Sequence, residues 1–217
     1  INNKPIINYI VDQINNLEAV DYIYVVTNAK FAQNFFDWQI SINSQIPVKV
    51  INDGTTQDGD KKGAIGDIQF VIDHEKINDD LIIIAGDNFF TFQLKDYYEF
   101  AMACQKDCAC AKEFNDKNLL NQFAIALIDE NNKLIDLEEK PQVPKSNLVV
   151  YANYIYRKQT LPLIKKYLQD GNIPDAPGFF LQWLYKRQDV YIYKIIGECY
   201  DIGTPKAYED VQKKFTY

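Results

Sequence analysis

Three short apolar runs, YIYVV (22–26), VKVI (48–51) and LIIIA (81–85), are separated by stretches whose apolar residues recur at helical spacing. That alternation constrains the fold more than any other feature of the chain. Strands divided by helices of about 10–15 residues imply βαβ units, with parallel strands, right-handed crossovers and helices packed on a sheet. LIIIA is apolar at every position, as a strand covered on both faces must be. Ahead of the first run, Ile6, Ile7, Ile10, Val11, Ile14 and Leu17 form a helical stripe behind Pro5, a residue tolerated in a first turn because its missing N–H costs little there. Residues 30–42 carry Phe31, Phe35, Trp38 and Ile42 on one helical face, and Gly63 opens a helix bearing Ile65, Ile68, Val71 and Ile72.

After residue 107 the rhythm changes. Segments 108–114, 123–128, 133–140 and 147–156 read as strands with little helix between them, and Asp129–Asn132 reads as a hairpin turn. Helices over 159–170 and 179–187, a strand over 190–196 and a helix from Pro205 complete the pattern. There is no internal repeat, low-complexity tract or linker, and 217 residues suffice to bury a substantial core. The expectation is one α/β domain over 1–217: a Rossmann-like mixed, mostly parallel sheet with flanking helices, its β-rich second half beginning near residue 108.

Lysine and arginine number 23 against 30 aspartates and glutamates, a net charge of -7. That balance argues against nucleic acid or an anionic membrane as partner, while leaving room for one nucleotide held by a local cation or a metal ion. No run approaches the ~20 apolar residues of a membrane span, and no signal peptide opens the chain, so the expected compartment is the cytoplasm. Cys104, Cys108 and Cys110 lie close in sequence, but Cys199 and the single histidine, His74, are distant, which favours reduced, packed thiols over zinc.

Three phrases can carry chemistry. Gly86-Asp87-Asn88 follows the most apolar strand, and open parallel sheets bind ligands beyond the carboxyl ends of their strands. Alone it is as well read as a polar turn. Glu138-Glu139-Lys140-Pro141 sets an acid beside a base at a strand end, able to bond hydroxyls and hold a phosphate, or else to form a solvated charged patch. In Tyr200-Asp201-Ile202-Gly203-Thr204-Pro205 a carboxylate precedes a turn and a helix start, where Thr204 also suits an N-cap. Together they supply the carboxylates that Mg²⁺ prefers and a cation for a phosphate.

With these phrases in order, and with Lys4-Pro5, Val26-Thr27-Asn28, Gly63-Ala64-Ile65-Gly66-Asp67, Ser146-Asn147 and Asp175-Ala176-Pro177-Gly178 between them, the chain resembles the sugar-1-phosphate nucleotidylyltransferases. The resemblance covers essentially the whole chain. It implies a nucleotide-binding half (1–107) and a sugar-phosphate-binding half (108–217). It implies Asp87 and Asp201 as ligands of a catalytic Mg²⁺, Glu139 against sugar hydroxyls, Lys140 on the phosphate of the sugar 1-phosphate, and Asn88 beside the substrate. Gly63 would lie against the base, where a side chain would obstruct it. Gln57 is a weaker base-reading candidate. The implied partners are a nucleoside triphosphate and a sugar 1-phosphate, and a homo-oligomer is compatible with them.

The chain also departs from that family. A strand and a Gly-rich, phosphate-cradling loop should precede Lys4-Pro5, so about 30 further N-terminal residues are expected, and little turnover without them. Ala124 and Ala152 stand where the family brings glycine near the sugar ring. These departures keep open a non-catalytic relative that senses a sugar nucleotide or serves as an assembly subunit. A Rossmann-type oxidoreductase lacks its G-x-G-x-x-G phrase here.

Overall fold

The structure is a computed structural model that describes residues 1–116 and 119–215. In chain order its elements are α1 (Ile6–Ile14), β1 (Ile23–Thr27), α2 (Ala32–Ser41), β2 (Val48–Asn52), α3 (Ala64–Glu75), β3 (Leu81–Ile84), β4 (Asn88–Phe90), α4 (Leu94–Cys104) and β5 (Asp107–Glu113). There follow β6 (Ala124–Ile128), β7 (Leu134–Glu139), β8 (Leu148–Tyr156), α5 (Leu161–Gln169), α6 (Pro177–Leu184), β9 (Val190–Lys194), β10 (Cys199–Asp201) and α7 (Pro205–Phe215).

β8 organises the main sheet. β5 runs antiparallel along one of its edges, while β3 and β6 share the other, β3 against 153–156 and β6 against 148–150. β7 extends the sheet antiparallel beside β6, and β9 parallel beside β5. The strands β3, β5, β6 and β9 therefore share one direction and β7 and β8 take the other, a mixed sheet flanked by helices. β1 and β2 form a separate parallel pair, and β4 and β10 a short antiparallel ribbon. β1 pairs with β2 and β3 with β8; the two form no ladder with each other.

Alternation along each strand divides the core between the sheet's faces. Ala109, Ala111, Val150, Tyr154 and Tyr156 pack with Ile65, Ile72, Ile164, Phe180 and Leu184 from α3, α5 and α6. Cys108, Cys110, Val149, Tyr151 and Ile155 pack with Ile10, Leu94, Tyr97 and Ala101 from α1 and α4. Both faces are covered, which is why these strands read as continuous apolar runs. A buried carboxylate pins one end of β5: Asp107 accepts hydrogen bonds from the Arg157 N–H at 2.6 Å, the Thr160 hydroxyl at 2.7 Å and the Gln188 amide.

Several expected boundaries move. Pro5 is the N-cap of α1 with ψ 142°, one place before the first turn. The helix expected from 179 starts at Pro177, the N1 position that suits proline. β4 and β10, three residues each, had no counterpart in the sequence reading.

Candidate active site

The β4–β10 ribbon sets Asn88 opposite Asp201, and the Ile202 N–H closes it by donating to the Asp87 carbonyl at 2.9 Å. This pairing brings together two carboxylates 114 positions apart in the chain, as their numbers 87 and 201 give. A β-carbon built on Gly203 would lie 3.0 Å from Asp87 Oδ2 and 3.2 Å from Asp201 Oδ1, which bounds the oxygens at about 6 Å apart. Partial burial, then the charge of Asp201, raises the Asp87 pKa above the ordinary carboxylate value. The Gly203 N–H donates to Asp201 Oδ1 at 2.9 Å and fixes that side chain. Asn88 itself is buried, and its Nδ2 has no partner among the described residues.

A second cluster forms at the end of β7. Glu139 lies opposite Ala124 in the β6–β7 ladder, and its N–H donates to the Gln182 side chain at 3.3 Å. Burial raises the Glu139 pKa, with the neighbouring Lys140 charge opposing that shift. Lys140 is exposed, and its backbone is left-handed, with φ 49°. An extended backbone is the usual preference before proline. Here the Lys140 N–H is committed to the Phe123 carbonyl at 3.1 Å, and the ladder's end holds the uncommon conformation.

Gly63 is required by a neighbour within the chain, apart from the base expected there. Its φ is 74°, and an added β-carbon would sit 2.7 Å from the Pro174 carbonyl group. The Ile65 and Ala64 N–H groups donate to the Pro174 and Asp175 carbonyls at 2.9 and 3.4 Å, so the segment before α6 caps α3. Through Gly178, that segment also reaches Glu139. Gln57 is exposed and engaged in a capping box with Asp60.

Ala152 links the two clusters. Its carbonyl accepts the Ala85 N–H at 2.9 Å, just before Gly86-Asp87, while two positions earlier Val150 pairs with Ala124. The β5–β8 register shifts here, with Ala109 opposite Tyr154 but Cys110 opposite Tyr151, a bulge of the kind found beside active sites. Lys140 acts electrically on Glu139 and Asp201 on Asp87, so the sequence-derived residues divide into a carboxylate pair and an acid–base pair. Gly203 and Gly178, quoted above only as parts of phrases, are the glycines that make room for them. Missed by the sequence was a hydrogen-bonded carboxyl pair, Asp53 and Asp67.

Among the described residues no three histidine, cysteine or acidic side chains converge as a metal site. Mg²⁺ does not need three: it takes one or two carboxylates with substrate phosphates and water, and the Asp87–Asp201 pair fits that donor set. The thiols of Cys108, Cys110 and Cys199 are buried, and burial pushes Cys110 up to about 12. A cleft of about 300 Å³ lined by Gln39, Ile42 and 44–48 shares no residue with either cluster. No helix among the described residues is long and apolar enough to cross a membrane.

A mixed sheet flanked by helices, with a carboxylate pair and an acid–base pair at its strand ends, makes this an α/β protein. The chain belongs to the nucleotidyl transferase family, which matches residues 1–217. It is 28% identical over 208 residues to the bifunctional protein GlmU of Methanocaldococcus jannaschii, covering 93% of this chain and 44% of that protein. It is 28% identical over 138 residues to a glucose-1-phosphate adenylyltransferase of Thermomicrobium roseum, covering 59% and 31% respectively. The chain thus spans less than half the length of these curated relatives. A UDP-glucose pyrophosphorylase complexed with UDP-glucose superposes with TM-score 0.81 at 17% identity, over 98% of this chain and 86% of that one. A UTP-bound UGPase from Acinetobacter baumannii gives 0.76 at 15% identity, over 99% and 83%. At such identities the two structures establish the fold.

Proposed function

We propose that the protein joins a nucleoside triphosphate to a sugar 1-phosphate, giving a nucleoside diphosphate sugar and pyrophosphate. The convergence of Asp87 and Asp201 across the β4–β10 ribbon carries the reading, because two carboxylates brought together supply the donors a divalent ion takes. Mg²⁺ bound there would neutralise phosphate charge. Lys140, on a rigid strand end, would hold the phosphate of the sugar 1-phosphate, and Glu139 would accept hydrogen bonds from sugar hydroxyls. A sugar-phosphate oxygen then attacks the α-phosphorus, the new P–O bond forms, and the α–β anhydride bond breaks with its electron pair leaving on pyrophosphate. No protein nucleophile takes part; the chain contributes position and charge.

In this reading 1–107 is the nucleotide half and 108–217 the sugar-phosphate half, joined because β3 is a strand of the second half's sheet. Retention of both aspartates and of Lys140 speaks against a non-catalytic relative. The test is Mg²⁺-dependent pyrophosphate release by the protein with its native N terminus, given dTTP, UTP, CTP or GTP and a panel of sugar 1-phosphates. Turnover with at least one pair, abolished by Asp201→Asn, is expected. No release with any pair would leave the sensor reading ahead.

A further inference from the structure

Gly178 is buried in the first turn of α6, and the space its missing side chain leaves is occupied. A β-carbon there would fall 1.8 Å from Glu139 Oε2, 2.9 Å from Glu139 Cδ and 3.3 Å from the Ala124 methyl. The Glu139 carboxylate therefore sits in a hollow whose floor is the bare α-carbon of Gly178 and whose wall is Ala124. Neither boundary can yield. α6 is anchored by Phe180, Leu181 and Leu184, all fully buried, and Ala124 is fixed in the β6 ladders to β7 and β8. One turn further along α6, Gln182 accepts the Glu139 N–H, so the same helix face holds both the backbone and the side chain of this residue. Of the three atoms nearest that β-carbon, the two that can move belong to the far end of Glu139.

We propose that Gly178 is a positioning residue that sets the depth of the Glu139 carboxylate and, through it, which sugar 1-phosphates are accepted. The proposal rests on the transferase reading, which puts Glu139 against sugar hydroxyls. Its asymmetry is what makes it testable. A side chain at 178 displaces a flexible carboxylate and no backbone, so the fold survives while the sugar end changes. The atoms nearest Gly178 belong to Glu139 and Ala124, whereas those nearest Gly203 at the nucleotide end belong to Asp87 and Asp201.

The experiment is Gly178→Ala in the protein with its native N terminus, with steady-state kinetics varied in each substrate and calorimetric titration of the sugar 1-phosphate. The expected result is a melting temperature close to the parent's, with KM and Kd for the sugar 1-phosphate raised about tenfold or more and KM for the nucleotide little changed. Adding Glu139→Asp, one methylene shorter, should restore part of the loss, because the carboxylate can again clear the methyl. An unchanged sugar KM overturns the proposal, as do an equal rise for both substrates or a double variant no better than the single one. If Gly178→Ala fails to fold, Gly178→Ala with Glu139→Ala decides the matter: that pair must fold if Glu139 is the group struck, and its failure overturns the proposal. A parent protein without turnover refutes the transferase reading and this role together, whereas an active parent with an indifferent Gly178→Ala refutes this role alone.

Discussion

Asp67→Asn should stabilise the protein at neutral pH and leave it unaltered near pH 4. Asp67 lies in the first turn of α3 with its Oδ1 buried and without a partner among the described residues. Burial chiefly, then the charge of Asp53 and the hydrogen bond between the two carboxyls, lifts its pKa from 3.8 to about 6, with Lys62 opposing. Below pH 3.8 the group is protonated whether the chain is folded or not, and it costs nothing. Between 3.8 and about 6 the folded chain keeps a proton that the unfolded chain has released, so stability falls as pH rises. Above that window the full penalty of a buried charge is present. A shift of roughly two units at about 1.36 kcal/mol each gives about 3 kcal/mol, and partial solvent exposure reduces it to roughly 1–2 kcal/mol. The amide carries no charge at any of these pH values and can donate to Asp53. For a chain of this length 1 kcal/mol moves Tm by about 2–4 °C, so calorimetry at pH 7.5 should place the variant roughly 2–8 °C above the parent. Equal melting temperatures at pH 7.5, or a gain that persists undiminished at pH 4, would refute the reasoning.

Two other substitutions probe the site and its support. Lys140→Ala should raise the sugar 1-phosphate KM and lower kcat while sparing the nucleotide KM; unchanged steady-state kinetics would remove Lys140 from the site. Asp107→Ala leaves the Arg157 N–H and the Thr160 hydroxyl without their acceptor in the core, while the Gln188 amide keeps its bond to the Thr160 oxygen. It should cost about 3–5 kcal/mol in urea unfolding, and a loss below about 1 kcal/mol would contradict the role assigned to that carboxylate.

The parts of this protein that sequence made legible are those whose signal is local and repeated. β8 and β5 are apolar on both faces, so their strands stand out, and the stripe from Ile6 to Ile14 marks α1 directly. β4 and β10 stayed hidden because three residues give no periodicity, yet their pairing is what joins Asp87 to Asp201. The two aspartates were found through resemblance, not spacing. At Lys140 a sound local rule lost to a tertiary hydrogen bond, that from its N–H to Phe123. At Gly63 the positive φ and the Pro174 backbone demand glycine whether or not a base lies nearby, a reason that sequence does not display. Gly178 and Gly203 stood in the quoted phrases without a role of their own, since what makes each necessary includes a carboxylate from another part of the chain.

These contacts also bear on how two substrates can be brought into line. In-line transfer needs the attacking oxygen and the leaving group fixed relative to each other, and errors near 1 Å are costly. The carboxylate pair and the acid–base pair belong to different elements, so a common reference is required. β8 supplies one, holding the Ala85 end of β3 through Ala152 and the β6 partner of Glu139 through Val150. The segment from Pro174 to Gly178 supplies another, tying α3 beside Gly63 to the Glu139 hollow. Both ties are made by backbone atoms, which cannot adapt by changing rotamer. Under the proposed transfer, adjustment is left to the side-chain ends of Glu139 and Lys140 while the backbone between the two clusters stays fixed.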